Sequence, residues 1–204
     1  MTIDPMHKWC DLALPYDSRV RGCLFGGAIG DALGSAVEFM SLPEIRSAYG
    51  SDGIQDLLSS KITNDTQMTL FTAEGLIRSH LQCANLVTSV RDAYDRWFDT
   101  QQVRRPMLSD EGPRTGWLRE QAWLYARPAP GSACLSGLQS GRGSLELPAP
   151  GAIGIINPGS KGCGTVMRSA LFGLLPYDRL NRPRVVPTSP TDIRQQLSPQ
   201  GLSR

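Results

Sequence analysis

Histidine is almost missing from this chain of 204 residues: only His7 and His80 occur. That excludes a site built on three imidazoles and leaves a serine–histidine–aspartate triad just two candidates for its base. Cysteine is sparse and odd in number, with Cys10, Cys23, Cys83, Cys134 and Cys163, and no pair has the C-x-x-C spacing. Zinc ribbons and thioredoxin-type dithiols are disfavoured, and reduced thiols in a cytoplasmic protein are the simpler expectation. No stretch of eighteen apolar residues exists, so no membrane-spanning helix is expected. The opening MTIDPMHKWCDLALPYD carries acids and no long apolar run, and it does not read as a secretory signal. An excess of charge is lacking too: 21 Lys plus Arg against 19 Asp plus Glu give +2, which does not point to a nucleic-acid binder.

What is present suffices for a folded domain. The length corresponds to one domain, at most one and a half. Hydrophobic residues at 40% and charged residues at 20% argue against a wholly disordered chain. The charge is uneven. From Arg179 to Arg204 there are five Arg and one acid, Asp192, a net +4 that leaves −2 for residues 1–178. Pro183, Pro187, Pro190 and Pro199 lie in the same stretch, with no helical or strand period. Residues 179–204 therefore read as a Pro/Arg-rich, poorly packed tail, and residues 1–178 as the domain. The tail has no aromatics for base stacking, so an RNA-binding arm is the weaker reading.

The periodicity is helical and the expected class is all-α. Residues 20–40, VRGCLFGGAIGDALGSAVEFM, predict a first helix with Gly22, Gly26, Gly30 and Gly34 at every fourth position. Each Gly costs about 1 kcal/mol of helix propensity, so a close neighbour, helix or ligand, is expected against that stripe. On one helix Asp31, Ser35 and Glu38 share a face, with the two acids roughly 10 Å apart along the axis. Leu70, Ala73, Ile77, Leu81 and Ala84 predict a second helix over 66–84, opened by the cap-forming run Thr63-Asn64-Asp65-Thr66. Val87, Val90, Tyr94 and Trp97 predict a third, ending near Gln102. Trp117, Leu118, Gln121, Leu124 and Tyr125 predict a fourth, ending before Pro128. A short helix should run from Ser132, its cap, to Leu138, followed by a long loop over 140–162 and a last helix over 165–175.

Three places carry chemistry. The oxygen atoms of Thr63-Asn64-Asp65-Thr66 suit a hard cation such as Mg²⁺, against the plainer reading of helix capping. Asp31 with Glu38 offers a general base or metal ligand, against a buried, hydrogen-bonded acid. Asn157-Pro158-Gly159-Ser160-Lys161-Gly162-Cys163-Gly164-Thr165 offers free backbone N–H groups, the Lys161 charge and the start of a helix to an anion, against a plain surface turn. It lacks the order of a nucleotide-hydrolase P-loop.

In order along the chain, GCLFGGAIGDALGSAVEF, ITNDTQMTLFTAEGLIR, RPAPGSACLSGLQSG and NPGSKGCGTVMRSALFGLLP resemble the ADP-ribosylglycohydrolases, including those that reactivate ADP-ribosylated dinitrogenase reductase. The resemblance covers residues 20–178 and implies an all-α globule with two central Mg²⁺ ions. It also implies cleavage of the glycosidic bond between ADP-ribose and a protein side chain, often Arg. By this resemblance Thr63, Asn64 and Asp65 are metal ligands, and Glu38 contacts metal or activates water. Asp31, grouped with it as catalytic, supports the site. Ser160, Gly162, Cys163 and Gly164 cradle the ribose and diphosphate. The implied partner is ADP-ribose or an ADP-ribosylated protein, with no nucleic acid and no membrane.

Two departures shape the expectation. The family usually has two adjacent Asp residues where this chain has Asn64-Asp65, and an amide oxygen is a weaker Mg²⁺ ligand than a carboxylate. The family also has a later His motif and an Asp-x-Asp-Thr/Ser metal motif, whereas after Lys161 this chain has only Asp178 and Asp192 and no His. A C-terminally truncated glycohydrolase with an incomplete metal site is therefore expected. Either it still hydrolyses, with a second polypeptide completing the site, or it is an inactive remnant that at most binds ADP-ribose. The incomplete fold should expose an apolar face of the Gly-rich helix and favour self-association.

Overall fold

A computed structural model describes residues 14–58, 61–106, 115–127, 129–140 and 157–175. The described residues form five α-helices and two short 3₁₀ turns, with no strand among them, so the all-α expectation holds. The helices are α1 (Tyr16–Gly34), α2 (Leu42–Tyr49), α3 (Asn64–Leu81), α4 (Leu86–Gln102) and α5 (Ser132–Gln139). The proposed tail and most of the long loop lie outside the described residues.

The antiparallel pair α3–α4 is the centre of the fold. Met68, Phe71, Ala93, Trp97 and Leu124 form its buried core, with Leu135, Leu138 and Met167 packed against it. The two helices touch backbone to backbone at Gly75: a Cβ there would lie 2.8 Å from Val90 Cα and 3.0 Å from Ser89 O. Polar groups are buried between them and are tied together. Arg96 Nε donates to Glu74 Oε2 at 2.9 Å, and both side chains are almost fully buried. Trp97 Nε1 and Gln101 Nε2 both donate to Gln67 Oε1 at 3.1 Å, and Gln67 Nε2 donates to Ala126 O at 3.1 Å. Those bonds satisfy donors and acceptors that would otherwise cost about 1–3 kcal/mol each.

The structure corrects several element boundaries. The first helix stops at Gly34, and residues 35–39 form turns, with Val37 N–H donating to Gly34 O at 2.9 Å. Glu38 is therefore not on the helix, and it does not share a helical face with Asp31. The Gly stripe is bare: no described heavy atom lies within 4 Å of a Cβ placed at Gly22, Gly26, Gly30 or Gly34. Only Ala32 of α1 is buried, while Phe25 and Ile29 stand 67% and 55% exposed.

The apolar period of α3 misread its inner face. Ile77 and Leu81 are exposed, and the buried side carries Gln67, Met68, Phe71, Thr72, Glu74 and Ser79. Polar residues took the core because α4 presents Arg96, Trp97 and Gln101 to them. Helix α2 was missed, although Ser41 and Glu44 form a capping box around Pro43. Residues 117–125 form turns and a 3₁₀ segment, Ala122–Tyr125, instead of an α-helix. Tyr125 Oη donates to Arg119 O at 2.6 Å, an anchor that holds this irregular segment. Gly131, not Ser132, caps α5. The last expected helix is instead a run of turns, mostly i→i−3 with one i→i−4 bond from Met167 N–H to Cys163 O, ending in a 3₁₀ segment, Phe172–Leu174.

Candidate functional site

Asp31, three residues before the end of α1, meets the start of α3. Its Oδ2 accepts from Thr63 N–H at 2.7 Å, Thr66 N–H at 3.2 Å and Thr66 Oγ1 at 2.6 Å. Its Oδ1 accepts from Thr63 Oγ1 at 2.6 Å. A carboxylate at a helix N-terminus satisfies N–H groups that have no partner within the helix, and its charge matches the positive end of the dipole. Thr63 is itself the N-cap, accepting from Asp65 N–H at 3.2 Å. Capping and site formation are thus the same arrangement: the bonds that start α3 also fix the Thr63–Asp65 corner.

The three residues of that corner are used differently. The Thr63 hydroxyl is engaged on both sides. Asn64 is buried, and its Nδ2 faces Met167 Sδ at 3.9 Å. It also lies against Gly131, where φ is +63° and a Cβ would come within 2.9 Å of Asn64 Nδ2. Asp65 differs: its carboxylate takes no hydrogen bond from a described residue. Burial raises its pKa above the usual carboxylate value, and the nearby charges of Asp31 and then Glu38 raise it further. Three acids therefore converge electrostatically although Glu38 lies in the turns after α1.

The glycine-rich segment lies beside this corner. Asn157 fastens it to α5, donating from Nδ2 to Ala133 O at 2.8 Å and accepting at Oδ1 from Ser136 Oγ at 3.1 Å. Farther on, Thr69 Oγ1 donates to Met167 O at 3.3 Å and to Asp65 O at 2.8 Å, which joins the segment to α3. Ser160 Oγ accepts from Gly162 N–H at 3.3 Å. Gly162, Cys163 and Lys161 are exposed and Gly164 is half-buried. Among the described residues, to 175, no α-helix follows the segment, so an anion there would meet loop N–H groups and not a helix N-terminus.

Several residues of this region had no signal in the sequence. Thr66, part of the cap-forming run, is in addition a second anchor for Asp31. Arg168 stacks over the Tyr94 ring, 4.3 Å from its centre, and its Nη1 lies 3.2 Å from Met68 Sδ. Cys134 sits under Gly164. These contacts join residues far apart in the chain, and no local pattern encodes them.

The donor set suits a hard cation only in part. Asp65 is a half-buried carboxylate that takes no hydrogen bond from a described residue and feels the charges of Asp31 and Glu38, a situation that a divalent cation relieves. Among the described residues, however, no group of three His, Cys, Asp or Glu side chains is close enough to hold a metal ion.

Compared with known proteins, the chain is matched over residues 13–193 by the family model described as ADP-ribosylglycohydrolase. The chain belongs to the ADP-ribosylglycohydrolase family. The match extends past Asp178, where the motif resemblance was expected to stop. An uncharacterized protein of Archaeoglobus fulgidus is 30% identical over 117 residues, covering 54% of this chain and 37% of that protein. The ADP-ribosyl-[dinitrogen reductase] glycohydrolase of Rhodospirillum rubrum is 41% identical over 64 residues, 28% of this chain and 22% of that enzyme. The matched regions thus span well under half of either relative. No solved structure matches the chain. No helix among the described residues of this ADP-ribosylglycohydrolase homologue is long and apolar enough to cross a membrane.

Proposed function

We propose that this chain binds ADP-ribosyl groups at the Asp31–Thr63–Asp65 corner and takes part in hydrolysis of the glycosidic bond that joins ADP-ribose to a protein side chain. The observation that carries this reading is Asp65: a carboxylate that takes no hydrogen bond from a described residue, raised in pKa by burial and by Asp31 and Glu38, next to a glycine-rich loop. Family membership supplies the reaction class.

In this reading Asp65, with oxygen atoms of Thr63 and Asn64, would hold Mg²⁺. Such an ion, when bound, supplies positive charge that orders sugar hydroxyls and lowers the pKa of water. Glu38 is the base that takes a proton from the attacking water. Asp31, already bonded to Thr63 and Thr66, holds the corner in place. Ser160, Gly162, Cys163 and Gly164 contact the ribose and diphosphate. The substrate is an ADP-ribosylated protein in the cytoplasm, and the bare α1 face favours self-association.

The short donor set makes the isolated chain a poor catalyst, because two cations close together need more carboxylate than the described residues offer. The second reading, an ADP-ribose binder without hydrolytic activity, rests on that same shortage. The deciding experiment measures release of ADP-ribose from an arginine-modified protein with Mg²⁺, beside calorimetry with Mg²⁺ and ADP-ribose. Slow release abolished by Glu38→Ala, with binding abolished by Asp65→Ala, supports the first reading. Binding without release supports the second. Neither binding nor release sinks both.

A further inference from the structure

Cys134 and Cys163 lie far apart in the sequence, and the fold brings the loop that carries one against the thiol of the other. A Cβ built on Gly164 would come within 2.6 Å of Cys134 Sγ. The Cys134 thiol therefore touches the backbone of the residue that follows Cys163. The two segments are fastened together again at Asn157, which bonds to Ala133 and Ser136 on either side of Cys134. Gly162 and Gly164 flank Cys163. The Cys163 carbonyl accepts from Val166 N–H at 2.8 Å and Met167 N–H at 3.1 Å, so its thiol approaches Cys134 by side-chain rotation and by adjustment at the two glycines. Cys163 is exposed and Cys134 is half-buried, and neither is in a disulfide.

We propose that Cys163 and Cys134 form a hydroperoxide-sensitive pair, closing to an intramolecular disulfide that ties the glycine-rich loop to α5. The inference rests on the position of the two thiols and does not depend on the ligand assigned to the loop. Cys163, the exposed thiol, meets the peroxide first. Its sulfur attacks one oxygen of the hydroperoxide: the S–O bond forms, the O–O bond breaks, and the other oxygen leaves with a proton as water or an alcohol. The Cys134 sulfur then attacks the Cys163 sulfenic sulfur. The S–S bond forms, the S–O bond breaks, and water departs with the Cys134 proton. In total, two thiols and one hydroperoxide give one disulfide and two molecules of water, or of water and alcohol. Burial pushes the Cys134 thiol pKa up, which suits a thiol that stays protonated until an oxidised neighbour is presented to it. Closure needs the two Cα atoms to approach to roughly 4.4–6.8 Å, a movement available to the Gly-flanked residue.

The test treats the full chain with hydrogen peroxide in small molar excess, alkylates the remaining thiols and maps tryptic peptides. Lys161 and Arg168 bracket Cys163, and Arg142 follows Cys134, so trypsin leaves the two cysteines on separate peptides. The expected result is a Cys134–Cys163 cross-linked peptide, loss of two hydrogens from the monomer mass, and full reversal by dithiothreitol. In Cys134→Ser, a sulfenic acid on Cys163 should persist and react with dimedone, while Cys23→Ser and Cys83→Ser should leave the cross-link intact. Cross-links to Cys10, Cys23 or Cys83, cross-links between molecules, or wild-type Cys163 over-oxidised beside a reduced Cys134 would each overturn the proposal. The wild-type map decides the matter even if a variant does not fold.

Discussion

Asp31 on α1 grips Thr63 at the start of α3 with both carboxylate oxygens, at 2.7 Å to the backbone N–H and 2.6 Å to the hydroxyl. Those two bonds connect the glycine-rich helix to the central helix pair and orient the corner that carries Asp65.

Replacing Asp31 should therefore loosen the site and the fold together. Charge-assisted hydrogen bonds contribute about 1.5–3 kcal/mol each, not additively. Asp31→Ala is expected to lower unfolding free energy by roughly 2–4 kcal/mol in urea titration, since it leaves the Thr63 and Thr66 donors unmatched. Asp31→Asn should recover part of that loss. An unchanged midpoint in Asp31→Ala would show that α1 contributes no hold on α3.

Asp65 should behave in the opposite way. Burial, Asp31 and Glu38 raise its folded-state pKa above the unfolded one. The protonated form is then favoured by folding, so this contribution is full below the unfolded pKa and is lost as pH rises through the folded pKa. At neutral pH Asp65→Asn should raise the melting temperature slightly, because the carboxylate is partly solvated, and the gain should vanish in acid. Mg²⁺ should stabilise wild type and not Asp65→Asn. Calorimetric melting across pH, with and without Mg²⁺, measures both.

The buried pair Glu74–Arg96 makes a sharper claim. With both side chains at 1% exposure or less, removing the Glu74 carboxylate takes a buried ion-pair partner from Arg96. Glu74→Ala should destabilise by about 3–5 kcal/mol, with Glu74→Gln milder, by denaturant unfolding monitored by Trp fluorescence. A loss below about 1 kcal/mol would mean that other partners of Arg96, or solvent, compensate for the lost carboxylate.

Gly75 tests the helix contact directly. A side chain there meets Val90 Cα at 2.8 Å, and backbone cannot move aside as a rotamer can. Gly75→Ala should lose about 1–3 kcal/mol from crowding, even though Ala is the better helix former by about 1 kcal/mol. A more stable Gly75→Ala protein would place the helices farther apart than they are here.

The sequence by itself determined the helical class, the span of α4, the start of α3 near Thr63 and the family, because helical period, cap residues and ordered motifs are local in the chain. It also singled out Asp31, Glu38 and Asp65 as acids worth watching. Only tertiary structure decided that the inner face of α3 carries polar residues beside Met68 and Phe71, since Gln67 and Glu74 are buried where Trp97, Gln101 and Arg96 can bond them. Likewise, nothing local stops 117–125 and 164–174 from being helices; Tyr125 bonding to Arg119, and Met167 bonding to Thr69, hold them otherwise. Periodicity reports which residues prefer to leave water. Which neighbour meets them, and whether a buried polar group finds a partner, depends on contacts between segments dozens of residues apart.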